Sequence, residues 1–477
     1  MKRVLTAALA VALFLAVLAP LILPFTSLLA PAVYDGSFVG SLADKLERLE
    51  STEGSRIVVV GGSSVAFGLK SDILERYTGM PVVNFGLYAA LGTKLMLDLS
   101  RPHIRQGDIV ILAPELDPQT LSLYFDPDVT LKALDGMPLS TYLDIPSEHY
   151  ASMLGALWSH AHDKYAALLG GGVEYKGIYS ADSFNSYGDI KAGLRAENVM
   201  TDYYDPNNTV TLDGSILSDE FVGYLNEYIG ECREAGADVL FTWCPINELA
   251  IEGGADASSL SAFENALEER IDATFISRIG DSILEAGYFY DTNFHLNDAG
   301  ALLRTIRLTE DVLLELGDPT AVKEMIPAPP ELPFLDMRHE GEDDNAEYFT
   351  FTRLANGSYM VSAVKDEYKG MKSLTVPVCY GGFKVTQLGQ RLLADTSAEE
   401  LVITADTNIT LIMNGAFNGA STLKRLVIRQ PIPDMIVPPD SFDGTHPSFT
   451  VYVPVGSNYS THYGWGDMGL KFEFIKE

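Results

Sequence analysis

Cysteine is scarce in this chain: Cys232, Cys244 and Cys379 are the three in 477 residues. That is too few, and too scattered, for a disulfide framework or a cysteine-based zinc site. They read as buried free thiols, with Cys232–Cys244 the one pairing left open. A chain this large with so little cysteine depends on its cores for stability. Basic residues are short as well, 33 Lys and Arg against 65 Asp and Glu, for a formal net charge of -32. That balance argues against nucleic acid as a partner, because phosphate binding needs clustered Lys and Arg to release counterions. It argues equally against an anionic lipid surface, except at the extreme N-terminus, and reads as solubility and mutual repulsion. A metal-ligand motif, a phosphate loop and a dinucleotide fingerprint are also missing, so no metal and no cofactor is expected.

Charge is absent altogether from Val4 to Phe25, an apolar run broken only by Thr6 and preceded by Lys2 and Arg3. A spanning helix needs ~20 such residues, whereas the apolar part of a secretory signal has ~7 to 15. Length therefore favours a retained anchor, residues 1–30. The basic pair stays cytoplasmic, which puts everything after Phe25 outside the plasma membrane. Ala30-Pro31-Ala32 keeps a cleaved signal peptide as the alternative.

What is plentiful is apolar residues, 47% of the chain, enough for two or three domains with real cores. After helical spacing from Ser41 to Glu50, strand and helix patterns alternate. Strands are expected at Arg56–Val60, Pro81–Asn84, Asp108–Leu112, Asp238–Thr242 and Tyr288–Tyr290, with helices around Leu69–Tyr77 and Asp298–Leu316. This alternation predicts a doubly wound parallel sheet of the α/β class. The stretch from about Gln119 to Leu217, rich in Tyr, Asp, Ser and Gly, reads as an insertion over the sheet's edge. From Ile326 the prolines 327, 329, 330 and 333 and the acidic Glu340–Asn345 mark a domain boundary.

Beyond that boundary lies a repeat. Strand-like segments begin at Ser373, Glu400, Arg425 and Thr450, spaced 27, 25 and 25, and Leu392, Phe417 and Phe442 keep a second ladder 25 apart. Two ladders sharing one period indicate a stacked solenoid, in which each unit buries its face only against its neighbours. The segments Asn414–Ile428 and Val451–Tyr459 resemble the BspA-like leucine-rich repeats of bacterial surface proteins. The resemblance covers about 371–459 within a repeat domain at 371–477, and implies a module that binds a protein partner or acts as a spacer.

Chemistry is carried by the first unit. "RIVVVGGSSVAFG", Arg56 to Gly68, drives an apolar strand into a glycine turn followed by two serines. An ordinary strand-to-helix turn, with Ser64 as helix N-cap, accounts for this stretch alone. The segment Gly62–Gly68 is similar to the first block of the SGNH/GDSL hydrolases, Gly-Asp-Ser and then Gly four residues on. That register makes Ser64 the nucleophile and puts Ser63 at the family's Asp position. Val82–Thr93 resembles the second block, which implies an oxyanion-binding backbone N–H at Gly86. Tyr290–Gly300 resembles the last block, which implies His295 as base with an acid just upstream. The family's acid lies three residues before the histidine, where this chain has Thr292, so Asp291, four before, takes the part. The third block's Asn is missing: "DIVILAPELD" offers Glu115, which must turn away, be protonated or bind something else. Asn185, in "SFNSYGD", is the candidate substitute donor, with turn chemistry an equal reading for Asn185 and Asp189.

The resemblance implies an SGNH-like three-layer sandwich over 31–325, insertion included, with a Pro-rich, acidic linker and first β elements at 326–370. A serine hydroxyl becomes nucleophilic when an imidazole accepts its proton, and the imidazole needs a carboxylate to fix its tautomer. The anchored, outward arrangement is similar to the accessory proteins of teichoic acid D-alanylation and alginate acetylation. That similarity implies a membrane-bound O-acyltransferase partner and a carbohydrate or acyl-ester substrate. The expected function is an extracytoplasmic serine esterase or O-acyltransferase. The alternative is a non-catalytic surface protein that binds through its repeats and keeps a degraded SGNH scaffold.

Overall fold

The computed structural model describes residues 22–251, 257–332, 337–339, 344–354, 356–430, 435–438, 440–461 and 465–475. Most of the apolar run, residues 4–21, and part of the acidic stretch, residues 340–343, lie outside the described residues. The chain divides into two compact units, Met1–Leu332 and Pro333–Glu477. The boundary thus falls inside the expected linker, and residues 326–332 belong to the first unit, where Tyr288 donates to the Pro327 carbonyl at 2.8 Å.

The first unit is built on five strands: β1 (Ile57–Gly61), β2 (Val82–Gly86), β3 (Ile109–Ala113), β4 (Asp238–Phe241) and β5 (Thr274–Phe275). All pair in parallel in the order β2-β1-β3-β4-β5, with Ile57 level with both Val82 and Ile109. Every residue of β1, β2 and β3 is buried, as expected of β-branched runs covered on both faces. Alternate side chains divide between two cores. Val58, Val60, Val83 and Phe85 pack with residues of α1 (Leu42–Ser51), α4 (Thr93–Ser100) and α7 (Asp219–Glu234). Ile57, Val59, Val82 and Ile111 pack instead with α3 (Ser71–Thr78) and α9 (Asp298–Glu315). The helices therefore cover both faces of the sheet.

Four of the five expected strands form. Tyr288–Tyr290 does not: residues 286–288 make a 3₁₀ turn, and Phe289 makes only an isolated bridge to Leu296. Asn297 explains this, since its side chain donates to the Gly287 and Phe289 carbonyls at 2.6 and 3.1 Å while also capping α9. The fifth strand is instead β5, a two-residue edge element without an apolar run to announce it. The expected insertion holds α5 (Pro127–Ala133) and α6 (Tyr150–Gly170), then a long irregular stretch. It closes the outer edge of β2, where the Tyr187 carbonyl accepts from the Asn84 N–H at 3.2 Å. At the sheet's amino edge Arg56 and Asp108 form a fully buried ion pair at 2.6 Å, with Arg56 also donating to the His103 carbonyl.

The second unit contains a parallel sheet in which Ser373–Thr375, Glu400–Ile403, Arg425–Ile428, Thr450–Val453 and Phe472–Phe474 pair in chain order. Ser373 is level with Glu400, Glu400 with Arg425 and Arg425 with Thr450, the register the 27- and 25-residue spacings imply. The last strand extends the array past Tyr459, where the repeat had been expected to end. Backbone bonds also link successive turns: Leu392 N–H to Ala416 O at 2.8 Å, Phe417 N–H to Ser441 O at 2.9 Å. The Phe417 and Phe442 rings stack at 5.3 Å. Phe349–Arg353 and Tyr359–Val364, the first β elements, form an antiparallel hairpin whose second strand pairs with Phe383–Leu388.

Candidate active site

In the strand order β2-β1-β3-β4-β5 the direction of winding reverses beside β1, and such sheets offer a crevice at their carboxyl edge there. β1 ends at Gly61, and α2 (Ser63–Gly68) starts immediately after Gly62. The turn is tight enough that side chains are excluded: a Cβ on Gly62 would stand 2.8 Å from Glu115 Oε1, and one on Gly86 2.6 Å from the Gly62 carbonyl. These contacts bring the start of α2 against β2 and the residues after β3.

The serine that faces the imidazole is Ser63, not Ser64. His295 Nε2 lies 2.8 Å from Ser63 Oγ, and His295 Nδ1 lies 2.8 Å from Asp291 Oδ1. Ser64 Oγ is buried and has no hydrogen-bond partner among the described residues. Its peptide is held from both sides, the N–H donating to Glu115 Oε1 at 2.6 Å and the carbonyl accepting from Arg304 Nη1 at 2.9 Å. The nucleophile position is therefore one residue earlier than expected: the turn is Gly61-Gly62, and the first helical residue, Ser63, meets the imidazole.

Asp291 does meet His295 despite lying four residues before it, because the loop is folded back on itself. Thr292 Oγ1 accepts from the N–H groups of Phe294 and His295 at 3.2 and 3.0 Å, and Tyr290 N–H donates to the His295 carbonyl at 2.8 Å. Thr292 thus spends its hydroxyl on the turn that brings Asp291 into position. Neither Asp291 nor His295 follows a strand; both sit on the loop leading into α9. Phe67 of α2 stacks on the imidazole at 4.0 Å with an interplanar angle of 4°.

A tyrosine from the insertion completes the arrangement. Tyr179 donates to Asp291 Oδ2 at 2.6 Å and stands 3.3 Å from His295 Nδ1. Burial and the neighbouring Asp291 carboxylate push its phenol up, so it remains a donor. Sequence reasoning missed Tyr179; its one signal was the tyrosine content of the insertion.

The oxyanion side departs further from expectation. Gly86 N–H is taken by the side chain of Asn84, whose Oδ1 accepts it at 3.1 Å. Asn185 is not a donor into the site: its Oδ1 accepts from Tyr187 and Asp189 N–H at 2.9 and 3.0 Å, which is the turn chemistry of an Asx motif. Asp189 is a brace, accepting from Ser71 N–H and Oγ and from Asn84 Nδ2. Glu115, itself only 4% exposed, turns towards the serines: Oε1 lies 3.0 Å from Ser63 Oγ in addition to accepting from Ser64 N–H. Burial pulls the Arg304 guanidinium down to about 10, against the attraction of Cys244 and Glu115.

Comparison with protein-family models and with curated proteins gives no match. Among the described residues no cluster of His, Cys, Asp and Glu is placed to hold a metal. Cys232 and Cys244 are buried free thiols, pushed up by burial to about 11 and 12, and Cys379 is buried in the second unit. Chemically, the arrangement presents a hydroxyl to an imidazole whose other nitrogen is fixed by a carboxylate, which is what acyl transfer through serine requires.

Proposed function

We propose that this chain is an extracytoplasmic serine esterase or O-acyltransferase of SGNH type, acting on cell-envelope or extracellular carbohydrate through an acyl-Ser63 intermediate. In this reading the run Val4–Phe25 anchors it to the plasma membrane, and the second unit is a BspA-like leucine-rich-repeat solenoid that engages a protein partner. The observation that carries the reading is the hydrogen-bond chain from Asp291 through His295 to Ser63 at the carboxyl edge of a parallel sheet. His295 Nε2 takes the Ser63 proton as Oγ attacks the ester carbonyl, and returns it to the departing alcohol. Asp291, held by Tyr179, keeps the Nδ1 proton in place and stabilises the imidazolium. The acyl-serine is then attacked by water or by a glycan hydroxyl, His295 again accepting the proton. Ser63 Oγ–H, which donates to Glu115 Oε1, turns to His295 once Glu115 releases it, and the Ser64 N–H freed at the same time is the donor for the oxyanion. A membrane-bound O-acyltransferase supplying the acyl group suits an anchored, outward-facing transfer domain.

A fluorophosphonate probe tests this: its mass should appear on the peptide containing Ser63, and an unlabelled chain would sink the enzymatic reading. One observation favours a second reading, that of a non-catalytic binding protein. Glu115 occupies the donor an oxyanion needs. If its carboxylate only gates the site, Glu115→Gln should accelerate labelling. Absence of labelling in both forms supports the binding protein.

A further inference from the structure

The longest helix of the insertion has an outer face that the reaction does not use. α6 buries Met153, Leu157, Ala161 and Lys164 against its own unit, where Lys164 pairs with Asp135 and donates to the Ala30 carbonyl at 3.1 Å. The opposite stripe, Leu154, Trp158, His162, Tyr165 and Leu169, recurs every three or four residues and so lies along one side of the helix. Apart from His162, whose Nδ1 lies 3.0 Å from Asp163 Oδ1, it is apolar where a solvated helix carries charge: Leu154 is 54% exposed, Trp158 49% and Leu169 89%. Beside it runs the first described stretch of the chain, helical from 22 to 27. Leu23 shares with Trp158, Tyr165 and Leu169 the lining of an apolar cavity of about 330 Å³, and Thr26 Oγ1 and Tyr165 OH are hydrogen-bonded at 2.7 Å. Ile22, Phe25 and Leu29 are exposed on the same stretch.

Three observations say what covers this face. The apolar run Val4–Phe25 ends on it, since Ile22 to Phe25 are its last residues and Leu23 stands against α6. Residues 22–34 carry no charge, and α6 holds no Arg and a single Lys, Lys164, which is buried; this suits uncharged rather than anionic headgroups. Trp158 and Tyr165 are the amphipathic rings that settle at headgroup depth. α6 itself does not cross the membrane: one of its faces belongs to the unit's core, and no helix among the described residues is long and apolar enough to span. Its length of ~30 Å therefore lies along the surface.

We propose that the α6 stripe and residues 22–29 rest in the headgroup region of a zwitterionic bilayer, at the point where the run Val4–Phe25 enters it. This rests on reading that run as an anchor. Of the three tryptophans, Trp243 and Trp465 are buried and only Trp158 is exposed, so quenching by lipid reports this face alone. The full chain is reconstituted into phosphatidylcholine vesicles with and without brominated acyl chains, and flotation and tryptophan emission are measured. Emission should fall with brominated lipid, and the fall should vanish in Trp158→Phe. The doubly substituted Leu154→Asp, Leu169→Asp chain should also lose it, while still floating and still labelling at Ser63. A chain that floats without quenching overturns the proposal but leaves the anchor standing, and assigns the face to a protein partner instead. A chain that does not float overturns both.

Discussion

Ser64→Ala is the substitution on which the two serines part company. Ser64 Oγ is fully buried and has no partner among the described residues, and an unsatisfied buried hydroxyl costs about 1–3 kcal/mol. Alanine removes that cost and leaves a gap of one oxygen, so the variant should be as stable as wild type or up to about 2 kcal/mol more so. Its backbone N–H and carbonyl, held by Glu115 and Arg304, are untouched. Labelling by fluorophosphonate should therefore stay within about threefold of wild type, because no contact to a reacting atom is lost. Ser63→Ala removes the hydroxyl bonded to His295 and to Glu115, so labelling should disappear altogether, at a stability cost of about 1 kcal/mol per bond. Intact mass after timed exposure to the probe reads the chemistry, and urea unfolding of the same samples reads the stability. Loss of labelling in Ser64→Ala with retention in Ser63→Ala would refute the assignment and restore the register of the family's Gly-Asp-Ser block.

Tyr179→Phe keeps the ring that packs on Phe38 and Phe67 but loses the bond to Asp291, worth about 1.5–3 kcal/mol to a charged acceptor; ester turnover should fall about tenfold or more and the unfolding free energy by up to that amount, and equal turnover would remove Tyr179 from the site. Lys45 is buried with two backbone carbonyls, Asn84 and Gly188, as its bonded acceptors; desolvation pushes its amine down to about 7, opposed by Asp189 and Asp44. Since the unfolded amine keeps its ordinary value of 10.5, the unfolded chain binds the extra proton between pH 7 and 10.5, and stability should rise with pH across that window. The whole effect is at most about 5 kcal/mol, and the rise from pH 7 to 9 should be absent in Lys45→Met when both are unfolded in urea. In the second unit, Phe417→Ala opens a cavity beneath the Phe442 ring and should cost about 3–5 kcal/mol; a loss under about 1 kcal/mol would mean the ring does not plug the stack.

The parts of this protein that were legible in the sequence are those with a period. Four parallel strands announced themselves as β-branched runs, and the second unit's sheet followed from spacings that its hydrogen bonds reproduce. What the sequence hid was set by single side chains acting on the backbone. Tyr288–Tyr290 has the composition of a strand, but Asn297 claims its carbonyls and bends it into a loop. Thr292 looked like a missing acid, yet its hydroxyl makes the turn that lets Asp291 reach His295. The choice between Ser63 and Ser64 depends on where the helix begins after two glycines, a one-residue matter that apolar patterning does not resolve. Tyr179 reaches the site from more than a hundred residues away in sequence, through an irregular segment without a motif.

Arg304 gives a physical reason for an acid, rather than an amide, at position 115. Arg304 is buried, bonded to the Ser64 and Trp243 carbonyls, and its guanidinium is drawn down by desolvation, with Glu115 the nearby carboxylate that offsets it. Glu115 and Arg304 thus grip the two peptide groups that flank the Ser64 Cα: the acid takes the N–H of Ser64, the guanidinium its carbonyl. That grip fixes the first turn of α2 with Ser63 Oγ turned to His295 and Ser64 Oγ turned away. An uncharged Asn at position 115 would remove a carboxylate that helps to offset the burial of the guanidinium. Glu115→Gln, which keeps the chain length but replaces a charged acceptor with a neutral one, should therefore lower the stability of the first unit even as it loosens the hold on the Ser64 N–H and lets an oxyanion compete for it. Restoring stability in the Glu115→Gln, Arg304→Met pair would identify the carboxylate as the counter-charge of Arg304; equal instability in the single and double variants would show that its role lies wholly at the serines.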